Sequence, residues 1–392
     1  DGYSIGWGVH ETPDFMGLLG VRLDTGEHFR VDLSMFGRGH VPATLGADGN
    51  IYAYGGRPHA HFMRIDPATR EVADLGCPEP NTHYFYSGAM APDGKWWTGG
   101  YPTAALVWVD TNTGEIGSVG RIAEDSRNKY LWPGVAVDDD GIVYCPIGLH
   151  HQELHSHDPA TGETRQILPD ELMELNGCPV VWKADDGNVY GRSSGGEDGP
   201  VWYRCTPSGI EVLEEAPAEA KDTPRMGDWL VGSIGAGGVM TLTHTETGER
   251  RELQTDYLGR EVQVYSVAEE WDGRIWGGTI KGARVFSIDP GNGELTDHGR
   301  RTGGSIQVYD IMGTPEGLLL SSYTGGCIEL WDPRDDEAPQ SFPRGEDQER
   351  PVRLTLGPDG NYYIGTTPVK GHVGGALGRI TLDETDATWW IN

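Results

Sequence analysis

GADGNIYAYGG, residues 46–56, is a tight acidic turn followed by a short apolar strand, and variants of this phrase return along the whole chain. They read APDGKWWTGG (91–100), DDDGIVYCPIG (138–148), ADDGNVYGRSS (184–194), EWDGRIWGGT (270–279), TPEGLLLSSY (314–323) and GPDGNYYIGT (357–366). The turn glycines 49, 94, 141, 187, 273, 317 and 360 lie 43 to 47 residues apart, except for a gap of 86 after Gly187 and one of 81 around the chain ends. A constant period of this length marks a repeat architecture, in which a small sheet cannot bury both faces alone and packs on its neighbours.

A second marker fills the wide gaps. It is a hairpin of apolar strand, acidic Thr/Gly turn and second strand, and it occurs nine times, from RLDTGEHFRV (22–31) and RIDPATREVADL (64–75) to RITLDETDATWW (379–390). The units near 3–33 and 227–254 carry this marker alone, as if each lacked an innermost strand. Seven to nine units result, and known propeller sizes favour eight. The expected fold is all-β: a single β-propeller of four-stranded antiparallel blades spanning residues 1–392.

Composition agrees with that reading. The chain has 59 Gly, 25 Pro, 13 Trp and 16 Tyr, as many short strands and tight turns require. No run approaches the roughly 18 apolar residues of a spanning helix, so no membrane partner is expected. The first residue is Asp1 rather than Met, which leaves the compartment unknown and favours a secreted or periplasmic one if a leader was removed. A net charge of -30 spread along the chain excludes nucleic acid as a partner. Only six of the 30 basic residues are lysines, a scarcity that fits a salt-tolerant surface. The five cysteines (77, 145, 178, 205 and 327) show no CxxC spacing and read as buried free thiols. Nothing suggests an oligomer, and a monomer is expected.

The blade phrase assembled from Asp48, Gly49, Tyr52, Gly55, Ile65, Asp66, Pro67 and Thr69 resembles the broad propeller superfamily of gluconolactonase-like, streptogramin-lyase-like and quinoprotein-like proteins. The resemblance covers nearly the whole chain. It implies architecture only, because these residues make turns and packing. Some propellers of similar size cleave uronate-containing polysaccharides by β-elimination, and the resemblance makes that activity an expectation here.

In a propeller the start of each inner strand lines the channel mouth, eight residues before the turn glycine. That register holds Tyr86, Tyr265 and Tyr309, with His40, Trp132 and Arg353 at or beside it in other units. His83 and Tyr84 precede Tyr86, and Tyr130 precedes Trp132. Loops between the second and third strands add Arg57, His59 and Lys281, and their glycine pairs would let backbone approach a ligand. Lys129, Lys281 and Lys370 are half of all the lysines and map, with Arg57, to predicted loops at the channel mouth. A cationic focus in an acidic shell predicts a small anionic ligand, such as an anionic carbohydrate.

Three readings compete. In a lyase, Arg57, Lys281, Arg353 or a protonated His neutralises a uronate carboxylate; His83, His59 or Tyr86 takes the α-proton; and a tyrosine, Tyr84 among them, protonates the leaving oxygen. Here His83, Tyr86, His59 and Tyr84 are the catalytic candidates, and Arg57, His40, Tyr130, Trp132, Tyr265, Lys281, Tyr309 and Arg353 the substrate-binding ones. In a metal-assisted hydrolase or lactonase, one divalent cation, structural or catalytic, would sit among Asn81, Asn128, Asn176 and Asp228. In a non-catalytic module, Trp132, Tyr84, Tyr101 and Tyr323 would stack on sugar faces. The pairs His59/His61 and His155/His157 alternate and could chelate a metal, but HxH is weak, the second pair reads as solvent-exposed, and no metal ligand is assigned.

Overall fold

The structure, a computed structural model, describes residues 4–391 apart from 12–14, 38–40, 57, 149, 176, 195–198, 221–223, 235–237, 258–262, 269–270, 305, 336, 370–371 and 373. The repeat phrase folds as the sequence predicts. All seven turn glycines have positive φ, 75° to 88° at six and 153° at Gly317, a region that costs residues with a Cβ about 1–2 kcal/mol. The acid and the tyrosine of the phrase belong together. The Tyr52 hydroxyl donates to Asp48 at 3.0 Å, Tyr144 to Asp138 at 3.0 Å, Tyr190 to Asp186 at 2.7 Å and Tyr363 to Asp359 at 2.9 Å. Each bond ties the turn to the strand it starts.

The chain is all-β and built from propeller blades. Among the described residues there are nine antiparallel sheets, where eight blades were favoured. The first has three strands, as its missing marker implied, whereas the unit at 227–254 does have an inner strand, the two-residue Arg225–Met226. No helix among the described residues is long and apolar enough to cross a membrane.

The chain divides into two compact units, Asp1–Arg260 and Glu261–Asn392. Unit 1 holds six sheets. Their middle strands are buried on both faces and send alternate side chains into two different apolar layers. In the second sheet, Ile51 and Ala53 pack with Met16, Leu18, Met63 and Ile65, while Tyr52 and Tyr54 pack with Phe62, Phe85 and Trp96 of the next interface. Trp97 turns the other way, against Leu131, Cys145 and Ile147. Tyr144, Leu154, Tyr203 and Cys205 fill the layer after that. On the first sheet, Leu19, Val21 and Leu23 face Met240 and Leu242 of the sixth. The packing order within the unit is therefore 6-1-2-3-4-5.

Unit 2 repeats the scheme with three sheets. Trp276, Val285, Leu318, Leu320 and Trp331 form one layer, and Leu319, Ile328, Leu354, Ile364 and Ile380 the next. Trp96, Trp97 and Trp276 are thus core residues, and Cys145 is a buried free thiol; Cys77 and Cys327 are only half-buried.

The glycine pairs correct one expectation, because protein rather than ligand occupies their space. A Cβ on Gly99 would lie 2.3 Å from the Leu131 side chain, one on Gly100 2.6 Å from Thr82, and one on Gly278 2.4 Å from Val308. Gly99→Ala therefore pushes Leu131 out of its layer. Overpacking of this kind costs about 1–3 kcal/mol, and the denaturant midpoint of the variant should fall accordingly; an unchanged midpoint would show that Leu131 has room to move.

Candidate active site

Inner strands of the second to fifth sheets line a channel of about 650 Å³ in unit 1, walled by Ala43, Thr44, Ser87, Ala89, Val135, Val137, Val181 and Lys183 among others. Tyr86 and Trp132, expected at the channel mouth, stand one residue before Ser87 and Pro133, which line the channel. Around Tyr86 four phenol rings meet. Ring centroids are 4.4 Å apart for Tyr101 and Tyr130, 5.2 Å for Tyr84 and Tyr101, 5.3 Å for Tyr84 and Tyr86, and 6.3 Å for Tyr86 and Tyr130. The His83 ring lies 6.3 Å from Tyr101 and is exposed.

Backbone pairing explains the convergence. The short strand Tyr84–Phe85 pairs with Gly100 and Tyr101 at the end of Lys95–Tyr101, and the His83 amide donates to the Tyr101 carbonyl at 2.8 Å. The Tyr86 carbonyl accepts from the Tyr54 hydroxyl and from Thr98 at 2.8 Å, which fixes the strand beneath the ring. Tyr86 is 6 % exposed. Burial, then its hydrogen bond with Tyr84 and the nearby phenols, hold its proton far above the usual tyrosine range. A group in that state keeps its proton at neutral pH. Of the other candidate bases, His83 lies beside the cluster.

The loop carrying Tyr130 is braced from below by a residue the sequence reading missed. Glu153 is fully buried, and its carboxylate accepts from the Glu124 amide at 2.7 Å, the Asp125 amide at 3.2 Å, Asn128 Nδ2 at 2.7 Å and His155 Nε2 at 3.0 Å. Burial pushes this carboxyl up, but the bonds from His155, Glu124, Asn128 and Asp125 prevail and leave it at about 2. His151 bridges the network to Asp125, at 3.3 Å from its carboxylate. Arg121 seals the loop from the other side by donating to the Thr103, Asp125 and Asn128 carbonyls. His155 and His157 are buried at 2 % and 3 % exposure, contrary to the solvent-exposed reading. His157 bonds Thr164 and packs on Trp97. No group of metal-binding side chains occurs among the described residues.

The other candidates separate. His59 is exposed, its Nδ1 bonded to the Pro80 carbonyl; it shares a shallow cleft with Phe36, His61 and Asp74, and His61 Nδ1 is 2.9 Å from that carboxylate. His40, Arg57, Asn176 and Lys370 lie outside the described residues. In unit 2, Tyr265, Tyr309 and Tyr323 form a second cluster, with centroids at 5.3 and 6.1 Å. Lys281 is exposed in the turn before Arg284–Ile288, and Arg353 is exposed on Gln348–Leu356.

A larger cleft, about 810 Å³, opens between the first and sixth sheets and is lined by Trp7, Val9, His10, Leu19, Met226, Met240 and Tyr257 among others. Its walls are mainly apolar blade faces that do not fully meet.

No family model matches the chain, and no curated protein does. Solved structures do. A catalytically inactive variant of virginiamycin B lyase from Staphylococcus aureus, with quinupristin, aligns at 11% identity and a TM-score of 0.37, covering 81% of this chain and 96% of that one. A streptogramin B lyase aligns at 16% and 0.26, covering 79% and 93%. A dihydro-heme d1 dehydrogenase aligns at 13% and 0.37, covering 98% and 72%.

Proposed function

We propose that unit 1 is the catalytic part of a carbohydrate lyase that cleaves a uronate-containing glycan by β-elimination. The observation that supports this reading is the exposed imidazole of His83 beside four phenols, one of them buried and held protonated. His83 takes the proton α to the carboxylate, the electron pair forms the C=C bond, and the C–O bond to the leaving sugar breaks. Tyr84 lies between buried Tyr86 and Tyr101 and protonates the departing oxygen. The carboxylate needs a cation to stabilise the charge that builds beside it, a role that falls to Arg57 or to exposed Lys129 next to Tyr130.

The product carries a conjugated double bond. A panel of acidic glycans should therefore give a rise in ultraviolet absorbance with at least one member, insensitive to a chelator. Saturated, water-added ends as the sole products would instead make the protein a hydrolase.

A second reading, a non-catalytic sugar-binding module, draws on the close contact of Tyr101 and Tyr130, which forms an aromatic surface suited to a sugar face. It predicts tight binding without any absorbance change.

A further inference from the structure

Several arginines of this acidic chain end in carboxylates: Arg22 meets Asp24, Arg165 meets Glu163, Arg284 meets Asp297 and Arg334 meets Asp332, each at 2.7 Å. Arg350 of unit 2 has no carboxylate partner among the described residues. It lies on Gln348–Leu356, half-buried, and its guanidinium sits 4.7 Å above the Tyr323 ring. Its one hydrogen bond among the described residues is a long one, from Nη2 to the Tyr323 hydroxyl at 3.4 Å, and its buried Nε has no acceptor. A guanidinium has five donors in a planar fork that fits a carboxylate edge-on. An orphaned Nε in a partly desolvated place costs free energy, and a chain with 60 acidic residues could readily have supplied a partner.

Tyr323 packs edge-on against Tyr309, and Tyr309 against Tyr265, a residue 43 % exposed. The Arg350 fork thus stands at one end of a row of three phenols that reaches solvent at the other.

We infer that Arg350, Tyr323, Tyr309 and Tyr265 form an anion site of unit 2 for a carboxylated sugar, with the carboxylate on the guanidinium and the ring along the phenols. The choice of a uronate rests on the reading of unit 1, whereas the anion site does not. No covalent step is assigned to it.

The test is calorimetric titration of the full chain with glucuronate, glucose and inorganic phosphate, in wild type and in Arg350→Gln. Glucuronate binding should weaken about tenfold or more in the variant, as loss of a charge-assisted bond implies, and Arg350→Lys should recover part of it. Glucose should bind equally weakly to all three proteins. Mass-spectrometric mapping of phenylglyoxal labelling supplies a local readout: glucuronate should protect Arg350, and glucose should not. Glucuronate binding that is absent, or equal in wild type and Arg350→Gln, overturns the inference. Phosphate binding as tight as glucuronate overturns the assignment to a sugar acid. Lyase turnover that vanishes in the unit 1 variants while this binding persists separates the two sites.

Discussion

His83→Ala lowers kcat on the active acidic glycan by about 10²–10⁴, the usual range for loss of a positioned general base, and changes KM little. The expectation follows from the surroundings of His83. Its ring is exposed, and its backbone is pinned to Tyr101, so truncation removes an acid–base group without opening a core. Tyr84→Phe should act in the same direction, because in the proposed reaction its hydroxyl protonates the leaving oxygen. Initial rates from product absorbance, with binding measured separately, decide the matter. Wild-type turnover in His83→Ala would move the base elsewhere and return the cluster to sugar recognition alone.

Glu153→Ala is the most destabilising change expected in unit 1, at about 3–5 kcal/mol, as for removal of one partner from a buried ionic network. Two amides, Asn128 and His155 lose their acceptor at once. The same carboxylate gives a pH signature. Its folded value of about 2 lies below its ordinary 4.5, so its contribution is fully present above pH 4.5 and is lost as pH falls toward 2. The linked free energy is about 3 kcal/mol. Denaturant midpoints of wild type should fall through that window, and the difference from Glu153→Gln should shrink as pH drops. A wild-type minus variant difference that stays constant from neutral pH to pH 2 would falsify the role given to this network.

The periodic features were legible because they are local. A turn glycine, its aspartate and the tyrosine that bonds back to it lie within a few residues, so Asp48, Gly49 and Tyr52 disclose their geometry without the rest of the fold. The register argument put Tyr265 near the start of Val264–Val267, whereas Tyr86 and Trp132 follow the ends of the short strands Tyr84–Phe85 and Tyr130–Leu131. Properties set by neighbours in space were hidden. Glu153 reads as an ordinary surface glutamate in ELHSHD until the loop Glu124–Asn128 folds over it. Arg350 stands out only once its place over the Tyr323 ring is seen, and Gly99 looked like an opening for ligand because Leu131, which fills it, comes 32 residues later.

The apolar interior of each unit is divided into separate thin layers, each walled off from the next by a hydrogen-bonded sheet. A change of volume in one layer has to be accommodated by the two sheets bordering it and by no others, so distant substitutions act independently. Compartments of this kind let neighbouring copies of the unit drift apart in sequence without a common readjustment. That is how LTHTETGERREL and RIDPATREVADL, one with an aromatic-poor blade and one with a Tyr- and Phe-filled one, serve the same architectural purpose in a single chain.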